Sequence, residues 1–261
     1  NTAILPKRKP IQYITIDGNI GAGKSSIMTI LREKYKNDSR VLFVDEPINE
    51  WNEIVDADGT TILALFYKDP LRYAFEFQMT VFVSRLKCAR EAFKMHKNNP
   101  KLQVIISERS IQTDRLFAKM LHDSKKLTDV QYAIHGHWFD DYADECRATK
   151  SIYIDTPANI CHDRVRSRAR SGESISLEYL TECGKYHDEM MGIDGPFVRK
   201  GIPIHRTHNA SNINANNVKD VNTDVHTNGI CCIDVESNAS SCANTQHFSN
   251  IAADIDTFIF S

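Results

Sequence analysis

No apolar run in this sequence approaches the ~20 residues that a membrane-spanning helix needs, so no transmembrane helix is expected. Charge of either sign is not in excess. A net charge of −2 over 261 residues gives no reason to expect a nucleic-acid or membrane partner. Cysteine is present but unpaired in pattern. There are seven, an odd number, at 88, 146, 161, 183, 231, 232 and 242, with no C-x-x-C spacing. Neither a disulfide framework nor a zinc site follows. Reduced core thiols fit an intracellular chain, with the cytoplasm as the first expectation and the nucleus or mitochondrion left open. Asn1–Pro10 is polar and basic and lacks the apolar stretch of a secretory signal. An Asn-Lys-x-Asp motif is also missing, which argues against a guanine-nucleotide switch.

What the sequence does hold is the stretch Ile14–Ser26. A β-favouring run, Tyr13 to Ile16, leads into Gly18-Asn19-Ile20-Gly21-Ala22-Gly23-Lys24-Ser25-Ser26, and an amphipathic run from Ile27 to Tyr35 follows. Glycines let successive backbone N–H groups converge on a phosphate, and the helix directs its positive end at the same place. Lys24 adds a point charge near the outer phosphates, and the Ser25 hydroxyl suits a magnesium ion. Strand, loop and helix in that order make this a P-loop.

Five short apolar runs each end at an acid: Tyr13–Ile16 at Asp17, Val41–Val44 at Asp45-Glu46, Val104–Ser107 at Glu108, Ser151–Ile154 at Asp155 and Ile230–Ile233 at Asp234. Helical segments separate them, which predicts a three-layer α/β fold of the P-loop NTPase type, a five-stranded parallel sheet flanked by helices. In such sheets ligands collect beyond the carboxyl ends of the strands. The acids and the P-loop therefore share one edge. The longest helix is expected from Leu71 to about His96, capped by Asp69 with Pro70 at its first position. A helix from Thr156-Pro157 carries Arg164, Arg166, Arg168 and Arg170, and another runs from Leu177 to Met191. Residues 1–261 read as one domain, with 11–191 and 230–260 as core and 192–229 as an Asn-rich loop or disordered insertion. Asn209-Ala-Ser211 and Asn238-Ala-Ser240 match glycosylation sequons that an intracellular chain leaves unused. Ile251–Phe260 is expected to be a terminal helix.

Four constellations carry chemistry. Glu46 precedes Pro47, which favours an extended backbone and projects the carboxylate over the sheet edge, as a general base or as an exposed turn acid. Glu108 and Arg109 end a hydrophobic strand, where the acid can hold magnesium through water and the guanidinium can neutralise phosphoryl charge; a structural ion pair is the alternative. Gln78, Val81 and Arg85 share one helix stripe, with Gln78 and Arg85 roughly 10 Å apart by helical rise. Among Phe75, Phe77 and Phe82 they suit a planar polar ligand, with surface snorkelling the alternative for Arg85. Arg164, Arg168 and Arg170 precede a Ser-Gly-Glu-Ser loop, either as a lid over phosphates or as a solvated charged face.

Together the segments Ile16–Ser25, Glu46-Pro-Ile-Asn-Glu-Trp51, Tyr67-Lys-Asp-Pro70, Phe77-Gln78, Glu108-Arg-Ser110, Tyr153-Ile-Asp-Thr-Pro157, Arg168-Ala-Arg-Ser171 and Leu177-Glu-Tyr-Leu180 resemble the deoxyribonucleoside kinase family. That family includes the deoxycytidine, deoxyguanosine and insect multisubstrate kinases. The resemblance implies transfer of the ATP γ-phosphate to the 5′-hydroxyl of a deoxynucleoside in nucleotide salvage. It assigns Glu46 as base, Arg109 as its aid at the 5′ end, and Ser25 with Glu108 to Mg2+. Tyr67 and Glu173 match residues that hold the sugar 3′-hydroxyl, Gln78 the amide that pairs with the base, and Arg164, Arg168 and Arg170 the lid arginines. Arg85 and Asp114 match a pair beside the base in the deoxycytidine and deoxyguanosine branch, which implies a preference for deoxycytidine or purine deoxynucleosides over thymidine. A homodimer through the long helices is implied as well. The rivals are a nucleoside monophosphate kinase such as thymidylate kinase, and a catalytically silent accessory subunit of the same fold.

Overall fold

The computed structural model describes residues 10–170, 173–192, 195, 204–208, 231–234, 255 and 257–260. Its centre is an all-parallel sheet of six strands: β1 (Gln12–Gly18), β2 (Val41–Val44), β3 (Val104–Glu108), β4 (Lys150–Asp155), β5 (Ile204–His208) and β6 (Cys231–Asp234). They lie in the order β2-β3-β1-β4-β5-β6. The five strands read from apolar runs are all present. The additional one, β5, falls inside the stretch 192–229 read as loop or insertion, and it pairs with β4 and β6. The Asn-rich residues 209–228 and both sequons lie outside the described residues.

β1 and β3 are buried along nearly their whole length, as expected for parallel strands covered on both faces. The covering helices are α1 (Lys24–Lys34), α2 (Ile48–Glu53), α3 (Ile62–Lys68), α4 (Pro70–Asn98), α5 (Gln112–Asp123), α6 (Asp129–Tyr142), α7 (Ala158–Arg168) and α8 (Leu177–Met191). α4 starts as its sequence dictates: the Asp69 side chain accepts from the Arg72 N–H at 3.3 Å and Pro70 fills the first turn. A reciprocal Thr128–Gln131 capping box opens α6. Residues 255 and 257–260 are helical, within the terminal helix expected there. Of the cysteines, Cys146, Cys161 and Cys183 are buried free thiols. Among the described residues no helix is long and apolar enough to cross a membrane.

A core histidine contributes to the sensitivity of the fold to acid. His135 of α6 is fully buried between Phe82 and Phe139, at ring-centroid distances of 5.6 and 6.3 Å. Neither ring nitrogen has a hydrogen-bond partner among the described residues. Burial, aided by Arg115, lowers its pKa to about 4. The unfolded chain therefore binds a proton near the ordinary value of 6.5 while the folded one stays neutral. Stability is full above that pH and falls as pH drops towards 4, by on the order of 3 kcal/mol from this residue. His135→Leu is expected to flatten Tm against pH between 7.5 and 4.5. An unchanged slope would remove His135 as a contributor.

Candidate active site

The turn after β1 is shaped by glycine. Gly21 has φ +79°, and a Cβ there would sit 2.5 Å from the Cys161 carbonyl of α7. Gly18, at φ +148°, would meet the Ile154 carbonyl at 2.6 Å. The loop is thus pressed against β4 and α7. Lys24 folds back along it, donating from Nζ to the carbonyls of Gly18 (3.2 Å) and Asn19 (2.8 Å). Burial, together with nearby Arg109, lowers its pKa to about 7.

A cavity of about 500 Å3 opens at the carboxyl ends of the strands, beside the point where β1 lies between β3 and β4. The end formed by the glycine loop holds Ile20, Gly21, Gly23, Lys24, Ser25 and Ser26. Gly18, Asn19 and Ala22 build the loop from beneath instead of lining the cavity. Besides the two carbonyls that take Lys24, the Asn19 amide donates to Leu180 O of α8 at 2.8 Å and Ala22 O accepts from Arg164 at 2.9 Å. The Ser25 hydroxyl donates to Glu108 Oε1 at 2.8 Å. A hydroxyl and a carboxylate side by side are hard oxygen donors of the kind magnesium takes, with phosphates supplying further ligands.

At the centre, Glu46 Oε1 accepts from Arg85 Nη2 at 2.8 Å and lies 3.3 Å from Arg109 Nε. Burial alone raises the pKa of Glu46, but Arg109, Arg85, Lys24 and Arg170 outweigh it and hold the carboxyl below its ordinary range. Arg85 also pairs with Asp114, and both are buried. Glu46, Arg85, Arg109 and Asp114, spread over 68 positions of sequence, form one charged cluster. Beneath it the buried Asp17 carboxylate accepts from the backbone and hydroxyl of Ser110 (2.9 and 3.0 Å), fixing the turn that follows Arg109.

The other half of the cavity is apolar, with Trp51, Leu63, Phe66, Phe77, Val81 and Phe117 around Gln78. Phe66 and Phe77 stack at 4.8 Å, and the Trp51 indole donates to Ser84 at 2.9 Å. Phe77 faces the cavity as the sequence suggested. Phe82 instead packs against His135 and Phe139 in a separate core cluster, because it lies on another side of α4. Gln78 Oε1 and Asp114 Oδ2 are buried acceptors with no hydrogen-bond partner among the described residues. Tyr67 of α3 also lines the cavity, with a hydroxyl whose pKa burial raises well above the ordinary value.

Arg164, Arg168, Arg170 and Glu173 reach the same cavity from α7 and the segment after it. Glu173 forms a two-point ion pair with Arg168, one arm at 2.8 Å. Every residue read from the sequence as a site residue therefore lies in the cavity or in the loop that frames it. Trp51, Phe66, Phe117 and Asp17 were not singled out. Asp17 carries the signal of a strand end, and Trp51 closes the segment Glu46–Trp51 on which the family resemblance rests.

A family model described as deoxynucleoside kinase matches residues 14–259. The chain is 32% identical over 196 residues to a probable deoxycytidine kinase of fowlpox virus, covering 73% of this chain and 75% of that protein. It is 29% identical to deoxycytidine kinase 2 of Gallus gallus, covering 69% and 74%. Against a mitochondrial deoxyguanosine kinase of Xenopus laevis the identity is 25%, covering 71% and 75%. With its sheet, its loop and its cleft of arginines and acids, the chain belongs to the deoxynucleoside kinase family and is an enzyme of that family.

Proposed function

We propose that the protein transfers the γ-phosphate of ATP to the 5′-hydroxyl of a deoxynucleoside, with deoxycytidine and purine deoxynucleosides favoured over thymidine, in nucleotide salvage. The observation that carries the base preference is the pair of buried, unpartnered acceptors, Gln78 Oε1 and Asp114 Oδ2, on the cavity wall. An exocyclic amine, or a ring N–H of guanine, donates to such acceptors. Thymine presents a carbonyl where cytosine has its amine, so its ring N–H can serve one acceptor but the acceptor that faces the carbonyl stays buried and unpaired, at a cost of about 1–3 kcal/mol.

The roles follow from position. Phe66, Phe77, Phe117 and Val81 hold the base, and Tyr67 with Glu173 takes the 3′-hydroxyl. Glu46 accepts the proton of the attacking 5′-hydroxyl. Arg109, Lys24 and the arginines 164, 168 and 170 neutralise charge on the transferred and leaving phosphates. Ser25 and Glu108 would hold Mg2+, which supplies Lewis-acid charge at the phosphate oxygens.

A panel of the four natural deoxynucleosides with ATP and magnesium tests the reading. We expect kcat/KM for deoxycytidine or a purine deoxynucleoside to exceed that for thymidine by about tenfold or more. Equal or greater efficiency on thymidine would overturn the base preference, and turnover only of monophosphates would favour a nucleoside monophosphate kinase. An accessory subunit without catalysis has no need of Lys24, Ser25, Glu46 and Arg109 together.

The assembly is proposed to be a homodimer. On α6, Val130, Ile134 and Trp138 lie four residues apart and are 68%, 39% and 41% exposed, an apolar stripe along one face of a helix packed against α4. Light scattering should give twice the chain mass for the wild type and a single chain mass for Trp138→Glu. A monomeric wild type removes this interface.

A further inference from the structure

The catalytic reading leaves unused one buried group that touches its machinery, His187 of α8. Its Nδ1 lies 2.7 Å from the carbonyl of Cys183, one turn earlier in the same helix. A carbonyl only accepts, so Nδ1 carries the proton and Nε2 keeps its lone pair. That lone pair faces Arg109 Nη1 at 3.5 Å. The same Nη1 donates to the Gly18 carbonyl at 2.9 Å, and its two hydrogens serve the two acceptors.

The rings around it fix the imidazole on both sides. Tyr153 lies nearly parallel to it, at 6.4 Å and 11°. Phe117 meets it edge to face at 5.6 Å, and the same phenyl ring lies beneath the Arg109 guanidinium at 5.3 Å. Burial and the Arg109 charge push the imidazole pKa down to about 3, so His187 is a neutral acceptor at working pH. Arg109 needs such support. It is a non-glycine residue at φ +64°, a conformation that persists only where its surroundings over-determine it.

We propose that His187 is a positioning residue for phosphoryl transfer: its Nε2 accepts from Arg109 and holds the guanidinium between Gly18 O and Glu46, facing the reacting end of the cavity. This rests on the kinase reading of the site. The contact also gives α8, which follows the lid segment, a second tie to the phosphate loop beside the bond from Asn19 to Leu180 O.

The test compares His187→Leu, which fills space without an acceptor, with His187→Gln, which returns one. His187→Leu is expected to lower kcat about tenfold or more, the worth of a hydrogen bond to a charged group, with KM for the deoxynucleoside changed less than about twofold. His187→Gln should recover most of that loss. In an Arg109→Lys background, His187→Leu should cost little further kcat. Undiminished kcat in His187→Leu, or the same fractional loss with and without Arg109, overturns the proposal. So does a loss confined to Tm and soluble yield. Nitrogen NMR of the wild-type protein with 15N-histidine reads the contact without turnover. An unprotonated Nε2 whose shift moves in Arg109→Lys supports the contact, and a protonated Nε2 overturns it. Should the wild type phosphorylate no deoxynucleoside, the kinase reading fails and the NMR result alone decides the His187–Arg109 contact.

Discussion

Glu46→Gln is expected to lower kcat by about 10²–10⁴-fold while leaving deoxynucleoside affinity nearly unchanged. The substitution keeps the shape of the side chain and an oxygen for the Arg85 and Arg109 N–H groups, which now reach Oε1 at 2.8 and 3.3 Å. It removes the capacity to take a proton, together with the negative charge that faces Arg85 and Arg109. The environment of Glu46 also fixes a pH dependence. Four cations outweigh burial and hold its pKa below the ordinary carboxylate value, so it is ionised throughout the neutral and mildly acid range. kcat/KM is therefore expected to show no loss from Glu46 protonation until pH falls below that range. A base so depressed is weak in the Brønsted sense, and this suits a loose phosphoryl transition state in which orientation matters more than early proton removal. Binding of deoxycytidine by calorimetry and kcat by a coupled assay separate the two effects. Unchanged kcat in Glu46→Gln would remove Glu46 from the base role.

The parts legible in sequence are those set by local chemistry. Apolar runs ending at acids gave five of the strands, and Gly18–Ser25 marked the loop because its turn geometry admits few residues other than glycine. α8 spans Leu177–Met191 as read, with Ser176 capping it through the Tyr179 N–H. β5 escaped for a physical reason. Ile-His-Arg-Thr-His has no apolar run, and it is a strand because β4 and β6 pair with it on both sides. Phe82 shows the limit of reading a stripe of aromatics, since one helix serves the cavity on one side and a second core on another. Resemblance assigns Glu173 to a sugar hydroxyl, whereas the partner it has in the structure is Arg168. His187 carried no motif at all. Only packing brings it to Arg109, a residue 78 positions away.

The largest effect on stability is expected at the buried pair of Arg85 and Asp114, and it should be asymmetric. Arg85 has two acid partners, Asp114 and Glu46, whereas Asp114 is fully buried with Arg85 as its cation. Removing Arg85 alone, as Arg85→Met, leaves the buried Asp114 carboxyl without its cation, which costs about 3–5 kcal/mol. Removing Asp114 alone, as Asp114→Ala, leaves the guanidinium still bonded to Glu46 and costs less, about 1–3 kcal/mol. Arg85→Met with Asp114→Ala leaves no stranded charge and should be more stable than Arg85→Met by itself. The double-mutant cycle is then strongly non-additive, and urea unfolding of the four proteins measures it. Additive losses would mean that the two side chains do not depend on each other. The same double variant loses one of the two acceptors proposed to reject thymine, so kcat/KM for thymidine should rise relative to deoxycytidine. A stability cycle that couples as expected, beside a thymidine ratio that does not move, would confine the pair to structure and put base selection on Gln78 and the aromatic wall.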